Sequence, residues 1–296
     1  MDFGGIQALA EKLFAAGVRN IGAELPFYLV LAAVLMIVII AEIIQRQNVW
    51  KRYTSPNVRT DMLYAVLELS HLEALLVLAP VAASLNANVD AHLPWLRLDA
   101  IASAPLWVKL IVTLVVTDFC AYWLHRWKHA WPVLWQFHKV HHSQSELNVF
   151  TRFRFPLLDR LLDMIVLFPV AVITGSAAVP LALYLFFVVR SCLEHSGQTW
   201  TYGPLGWLIV SPSFHGTHHS RAPEHIDRNF GGFFSIWDRI FGTYVPRGDK
   251  PLAYGLHHEQ IPQDFLYGQI APIHGLWKLA RSKRPATPLA AEGETA

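Results

Sequence analysis

The chain of 296 residues has room for one large domain or two small ones. Hydrophobic residues make up 53% and charged residues 16%, against about a quarter charged in soluble globules, and mean hydropathy is +0.32. These values exclude an ordinary soluble globule, the net charge of +2 gives no argument for a nucleic-acid partner, and two cysteines far apart in apolar segments, Cys120 and Cys192, exclude a disulfide framework or a cysteine zinc site.

Residues 1–24 are mixed in polarity and predict no cleavable signal peptide. The first apolar span runs from about Pro26 to Ile44 and is long enough for a hydrocarbon core of about 30 Å. A second apolar helix is predicted from about Met62 to Leu85, where Glu68, His71 and Glu73 should face the bundle interior or an interface. A third runs from about Pro105 to Leu124 and leads into His125. Residues 157–190 hold two shorter apolar segments split by Thr174-Gly175-Ser176 and Pro180, which read either as a tight transmembrane hairpin or as helices entering one leaflet. After Glu194 nothing is long and apolar enough to span, and residues 281–296 read as a disordered tail.

Lysine and arginine placement sets the orientation. Residues 1–24, the 86–104 loop and the 175–178 turn carry only Lys12, Arg19 and Arg97. The other side holds Arg46, Lys51, Arg52 and Arg59, six basic residues between 125 and 160 and nine after 194. That side is expected to be cytoplasmic, with Asp90, His92 and Asp99 outside.

Every histidine cluster falls on the basic side. The clusters read His125-x-x-x-His129, His138-x-x-His141-His142, a lone His195, and His215-x-x-His218-His219. Spacings of three and four place side chains on one helix face, so each cluster can aim its imidazoles at one point. Ser211 before Pro212 is a good N-cap with proline at the first helical position, which predicts a helix carrying His215, His218 and His219. Imidazole is a ligand common to iron, zinc and copper sites. Eight or nine are too many for one metal and suggest two. The remaining histidines, His71, His92, His225, His257, His258 and His274, read as ordinary polar or interfacial residues.

Soluble helical di-iron sites mix glutamate with histidine. A shell richer in neutral imidazole leaves more positive charge on the metals, which favours a harsher oxidant. Asp118, Glu146, Asp159, Asp163, Glu194, Asp227 and Asp238 are candidate partners for histidine N–H groups, and each also reads as a surface ion pair or cap.

The strings HRWKH, HKVHHSQSELN, HSG, LGWLIVSPSFHGTHHS and DRNFGGFFSIWDRIFGTYVP, within residues 105–250, resemble the fatty acid hydroxylase superfamily, often called the sterol desaturase family. In the last string the resemblance rests on Asp227, Asn229, Phe230, Gly231, Trp237, Asp238 and Phe241-Gly242-Thr243. Two departures stand out. Many bacterial members have Arg-x-His-Pro where this chain has Arg154-Phe155-Pro156, and Thr199 follows His195 by four residues where some branches have a second histidine.

The resemblance implies an all-α polytopic membrane bundle, with about three full spans plus a short apolar hairpin and a cytoplasmic helical cap carrying a di-metal site. The implied metal ligands are His125, His129, His138, His141, His142, His195, His215, His218 and His219. The expected domains are N-terminal membrane segments over 1–104, a catalytic domain over 105–250, a cytoplasmic segment over 251–280 and the tail. The implied activity is an O2-dependent di-iron oxidoreductase that hydroxylates or desaturates a C–H position of a membrane lipid, in a bacterial inner membrane. Its cofactors would be two iron ions, with O2 as co-substrate and an external ferredoxin-, cytochrome- or pterin-type electron donor as redox partner. Trp123, Trp127, Trp131, Trp135, Phe150, Phe153 and Phe155 are candidates for lining the lipid groove. Arg126, Lys128, Lys139 and Arg152 are candidates for docking the donor. A membrane zinc hydrolase would need a Glu inside the first histidine pair, as in His-Glu-x-x-His, and the chain has His125-Arg-Trp-Lys-His129. A metal transporter or sensor would favour polar ligands near the bilayer midplane, where only Glu68 and His71 qualify.

Overall fold

A computed structural model describes residues 25–45, 47–98, 101, 103–174, 178–257 and 259–281. The basic residues Lys12, Arg19 and Arg46, the 175–177 turn, Asp99, His258 and residues 282–296 lie outside the described residues. Among the described residues the chain is helical, with only isolated β-bridges at Ile209–Phe234 and Ser220–Tyr254. It divides into a unit ending at Gln47 and a larger one from Asn48 onward.

The first unit contributes α1, Leu25–Ile44, a continuous apolar helix of 20 residues and therefore about 30 Å long. In the larger unit, α2 is Val49–Tyr53 and α3 is Pro56–Leu69, capped by the Ser55 hydroxyl and started by proline. The expected second span does not form as one helix. The chain breaks at Ser70-His71, where His71 takes the left-handed φ of 56°, and the long apolar helix α4 runs instead from Ala74 to His92. A π-turn over Ala74–Leu78 opens α4 and accommodates Pro80, whose ring disrupts normal helix bonding. Hydropathy merged α3 with α4 because both are apolar; the break lies in the polar residues the span would have had to bury. Much of the expected 86–104 loop is consequently helix, followed by a 3-10 turn at Pro94–Leu96.

Helix α5, Leu106–Ala130, has 25 residues and is about 37 Å long. It exceeds a hydrocarbon core of about 30 Å by little more than one turn, and His125, Lys128 and His129 lie in its last two turns. Trp131 and Pro132 end α5 and start α6, Pro132–His142. The expected hairpin is two helices, α7 Leu157–Thr174 and α8 Ala178–Glu194. Asp159, Arg160 and Asp163 crowd the start of α7, and among the described residues only α1, α4 and α5 are long and apolar enough to cross a membrane.

The short helix α9, Pro212–His218, starts at Ser211, whose hydroxyl accepts the Phe214 N–H, as its sequence predicts. Helix α10 is Ile236–Ile240. Helix α11, Phe265–Arg281, packs on α6, α3 and α7 and takes Arg281 out of the expected tail. The core of this unit is therefore α5, α6, α7, α8 and α11, arranged around the polar ends of α5 and α8. Cys120 in α5 and Cys192 in α8 are both free.

Candidate metal centre

All nine histidines singled out by spacing converge. They form a group of five, His125, His129, His138, His142 and His218, and a group of four, His141, His195, His215 and His219. Within each group the nearest ring nitrogens lie within 4.8 Å of one another.

The expectation that each motif serves one point needs correction, because both His-x-x-His-His motifs are shared. At 3.6 residues per turn, positions i and i+4 lie about 40° apart, while i+3 lies about 60° away on the other side. Each i,i+4 pair (125/129, 138/142 and 215/219) stays within one group. Each i+3 residue crosses over, so His141 joins the group of four and His218 the group of five. Thr199 is exposed, and His195 stands without a helical companion.

The ring nitrogens meet at close range. His142 Nε2 lies 3.1 Å from Nε2 of both His129 and His218. In the other group His195 Nε2 lies 3.1 Å from His141 Nε2 and 2.9 Å from His215 Nε2, which is itself 3.1 Å from His219 Nε2. Two nitrogens at right angles on an ion about 2.1 Å away would be about 3.0 Å apart.

The opposite ring nitrogens fix which lone pairs face inward. Nδ1 of His125 donates to the Phe230 carbonyl at 2.9 Å, His218 to Arg228 at 2.8 Å and His195 to Ser191 at 2.8 Å. His129 Nδ1 lies 3.3 Å from Asp227, whereas Nδ1 of His138, His141 and His215 is buried without a hydrogen-bond partner. Neutral rings held this way turn bare Nε2 lone pairs toward one another, a repulsive arrangement unless a cation sits among them. Nε2 of both His125 and His138 is buried with no hydrogen-bond partner. The donor set thus fits two metal ions.

Burial and then the neighbouring imidazoles hold His138, His141, His142, His215, His218 and His219 well below the ordinary histidine range. Burial takes His195 down to about 3, helped by Arg152 and Arg190 and opposed by the Ser191 carbonyl. Neutral imidazole is the form that binds metal.

The segment after the last cluster is a scaffold for these rings. Asp118, buried in α5, accepts N–H bonds from Phe233 at 2.5 Å, Phe234 at 2.9 Å and the Trp237 indole at 2.8 Å. Asp238 accepts from Phe230 and Gly231, both at 2.7 Å, and from the Thr243 hydroxyl at 2.6 Å. The clamp aims the Phe230 carbonyl at His125. It also explains the glycine pair: a Cβ on Gly232 would sit 2.9 Å from Asp118 Oδ1, and one on Gly231 would sit 2.7 Å from the Phe234 carbonyl.

A second scaffold was not anticipated. Buried Asp61, on α3, accepts from Gln144 at 2.5 Å, Asn148 at 2.7 Å and Thr151 at 3.0 Å, and pairs with Arg154. These bonds fold the strip after α6 back beneath the centre and deliver Phe155, whose ring stacks on His141 with centroids 4.2 Å apart and planes at 13°. The signal was present in the polar run 143–154, but its partner lies more than eighty residues away. Of the other candidate carboxylates, Asp163 pairs with Lys128, Glu194 with Arg190, and Glu146 accepts from Ser55.

A cavity of 460 Å³ adjoins the centre. Five histidines form one wall, and Leu78, Leu124, Met164, Leu167, Phe155 and Phe187 supply apolar lining that reaches α4 and α5. Of the seven aromatics expected to line a lipid groove, only Phe155 does so. Trp127 and Trp131 stack on each other on the surface, Phe153 is buried elsewhere, Trp123 packs on Phe241, Phe150 packs on Tyr53, and Trp135 packs on His129 beside a smaller cavity. The expected docking cations are also engaged. Lys128 and Lys139 are only 3% and 6% exposed; Lys128 pairs with Asp159 and Asp163, and Lys139 with Glu259. Arg152 pairs with Glu68, and Arg126 donates to the Tyr122 hydroxyl.

The model of the fatty acid hydroxylase family matches residues 110–243. Alkylglycerol monooxygenase of Xenopus tropicalis is 34% identical over 50% of this chain and 32% of its own length. Ornithine lipid hydroxylase of Rhizobium tropici is 31% identical over 47% and 43%, and human lathosterol oxidase 29% identical over 50% and 50%. The chain thus spans between a third and a half of these relatives. No solved structure matches it. Residues 110–243, which hold all nine clustered histidines, are therefore similar to the fatty acid hydroxylase family and to these lipid-oxidising relatives.

Proposed function

We propose that the protein is an O2-dependent membrane oxidoreductase that hydroxylates or desaturates a C–H position of a membrane lipid, with two iron ions held by the nine histidines. The observation that carries the reading is the pair of buried histidine groups beside an apolar cavity that reaches membrane-spanning helices. Relatives named for oxidising an alkylglycerol, an ornithine lipid and a sterol support a lipid substrate. His125, His129, His138, His142 and His218 would hold one ion and His141, His195, His215 and His219 the other.

When bound, iron supplies O2 activation and the oxidising power to break an unactivated C–H bond. The chain's own contribution is placement. Leu124, Met164, Leu167 and Phe187 remove an acyl or alkyl chain from water and lay one carbon against the histidine wall. The carbonyls of Ser191, Arg228 and Phe230 hold the imidazole tautomers that present Nε2. Electrons come from an external carrier, and the basic flank beyond α5 orients the centre to the cytoplasm, in a bacterial inner membrane. The zinc-hydrolase alternative lacks the general-base glutamate of a His-Glu-x-x-His motif, since Arg126, Trp127 and Lys128 fill the turn between His125 and His129.

Metal analysis of anaerobically purified protein tests this, with two irons per chain expected and both His141→Ala and His218→Ala losing metal. Lipid mass spectrometry of cells with and without the gene should then reveal a product with one oxygen more or two hydrogens fewer. Stoichiometric zinc with hydrolysis and no O2 uptake would overturn it.

A further inference from the structure

The nine imidazoles face two cavities that have no lining residue in common. His125, His138, His141, His195 and His215 border the large apolar one. His129, His142, His218 and His219 border a smaller one of 170 Å³. Each histidine group contributes to both walls, so the centre stands between the two spaces.

The two linings differ in chemistry. Lys128, Arg152, Arg160 and Arg190 touch the large cavity, and each is tied to a carboxylate, which leaves its free wall apolar. Besides its histidines, the small cavity is lined by Ser220, Arg221, Asp227, His257 and Glu259 together with the apolar Trp135, Ile226 and Leu256. Glu259 is paired with Lys139, and Arg221, His257 and Glu259 are solvent-exposed, so this space opens to water where the large one opens on apolar side chains. It has room for a small cluster of water molecules with several polar partners, and none for a lipid chain.

Hydroxylation by O2 takes two electrons and two protons per turnover and releases one water. A centre whose large cavity is filled by a hydrocarbon chain needs another route for those polar species. We propose that the small cavity is this route: a water-side port that admits water, protons and small polar molecules to the histidine centre while the large cavity holds the lipid. The proposal rests on the oxygenase reading above, but its first test needs no metal.

Single cysteines introduced by Ser220→Cys in the small cavity and Ala121→Cys in the large one, each in a Cys120→Ala, Cys192→Ala background, would be probed with two thiol reagents. A charged methanethiosulfonate should label Ser220→Cys and leave Ala121→Cys largely unmodified, while a long-chain alkyl maleimide should show the reverse preference. Narrowing the port with Arg221→Trp, or with Leu256→Trp where the first variant is poorly expressed, should slow charged labelling at Ser220→Cys at least tenfold without changing Ala121→Cys. Equal labelling of Ser220→Cys by the apolar reagent, or rates that the tryptophans leave unchanged, would overturn the port. In iron-loaded protein, azide binding followed by absorbance should slow at least tenfold in Leu256→Trp and not in Ala121→Trp; azide excluded only by Ala121→Trp would overturn it as well. Failure to load iron would count against the oxygenase reading alone, since the thiol reactions decide the port without it.

Discussion

At the scale of single residues, the centre depends on groups that hold imidazoles still as much as on the imidazoles. Phe155 lies flat on His141, and such aromatic pairs contribute about 0.5–1.5 kcal/mol beyond area burial. Phe155→Ala should therefore weaken metal binding by roughly two- to tenfold at the group of four, measured by competition with a chelator, with little change at the group of five. The same burial makes the metal-free protein acid-sensitive. Unfolded histidine titrates at about 6.5, and His138, His141, His142, His215, His218 and His219 lie well below that when folded, with His195 at about 3. The unfolded chain thus binds more protons below about pH 6.5, so this stability is complete above that value and is lost as pH falls toward about 3. Thermal melts of metal-free protein should drop progressively as pH is lowered from about 7 to 5; a flat melting temperature would contradict the burial of neutral rings.

Among elements, the decisive contact is between a membrane-spanning helix and a loop far along the chain. Asp118→Ala would leave the Phe233, Phe234 and Trp237 N–H groups without their acceptor. At about 1–3 kcal/mol per stranded buried donor, a loss of at least about 3 kcal/mol is expected in denaturant unfolding, together with loss of metal through His125. Asp118→Asn, which keeps one acceptor oxygen, should do less. This contact also marks where sequence reading stops. The 3-and-4 spacing of the histidines and the Ser211-Pro212 cap were legible because each is decided within one helix. The partners of Asp118 and Asp61 were not, because a buried carboxylate in an apolar run reveals that it needs donors, not which ones. The second span failed for a related reason: hydropathy averages over a window and passed across the turn at His71.

For the molecule as a whole, charge placement and apolar lengths indicated a helical bundle with its chemistry at one end, and the fold gathers the histidines at the C-terminal ends of α5 and α8. The i+3 crossover has a consequence for assembly. Helix α6 gives His138 and His142 to one group and His141 to the other, and α9 with its C-capping residue His219 gives His215 and His219 to one and His218 to the other. An ion arriving at either group therefore fixes the rotation of both short helices and preorganises the second group. Metal uptake should be cooperative, with half-loaded protein scarce throughout a titration of the metal-free chain with ferrous or cobalt ion followed by absorbance and native mass spectrometry. His218→Ala, which removes a donor from the group of five alone, should depress occupancy of both; independent filling of the two groups would contradict this. The centre would then behave as one switch with two ions in it, either assembled or empty.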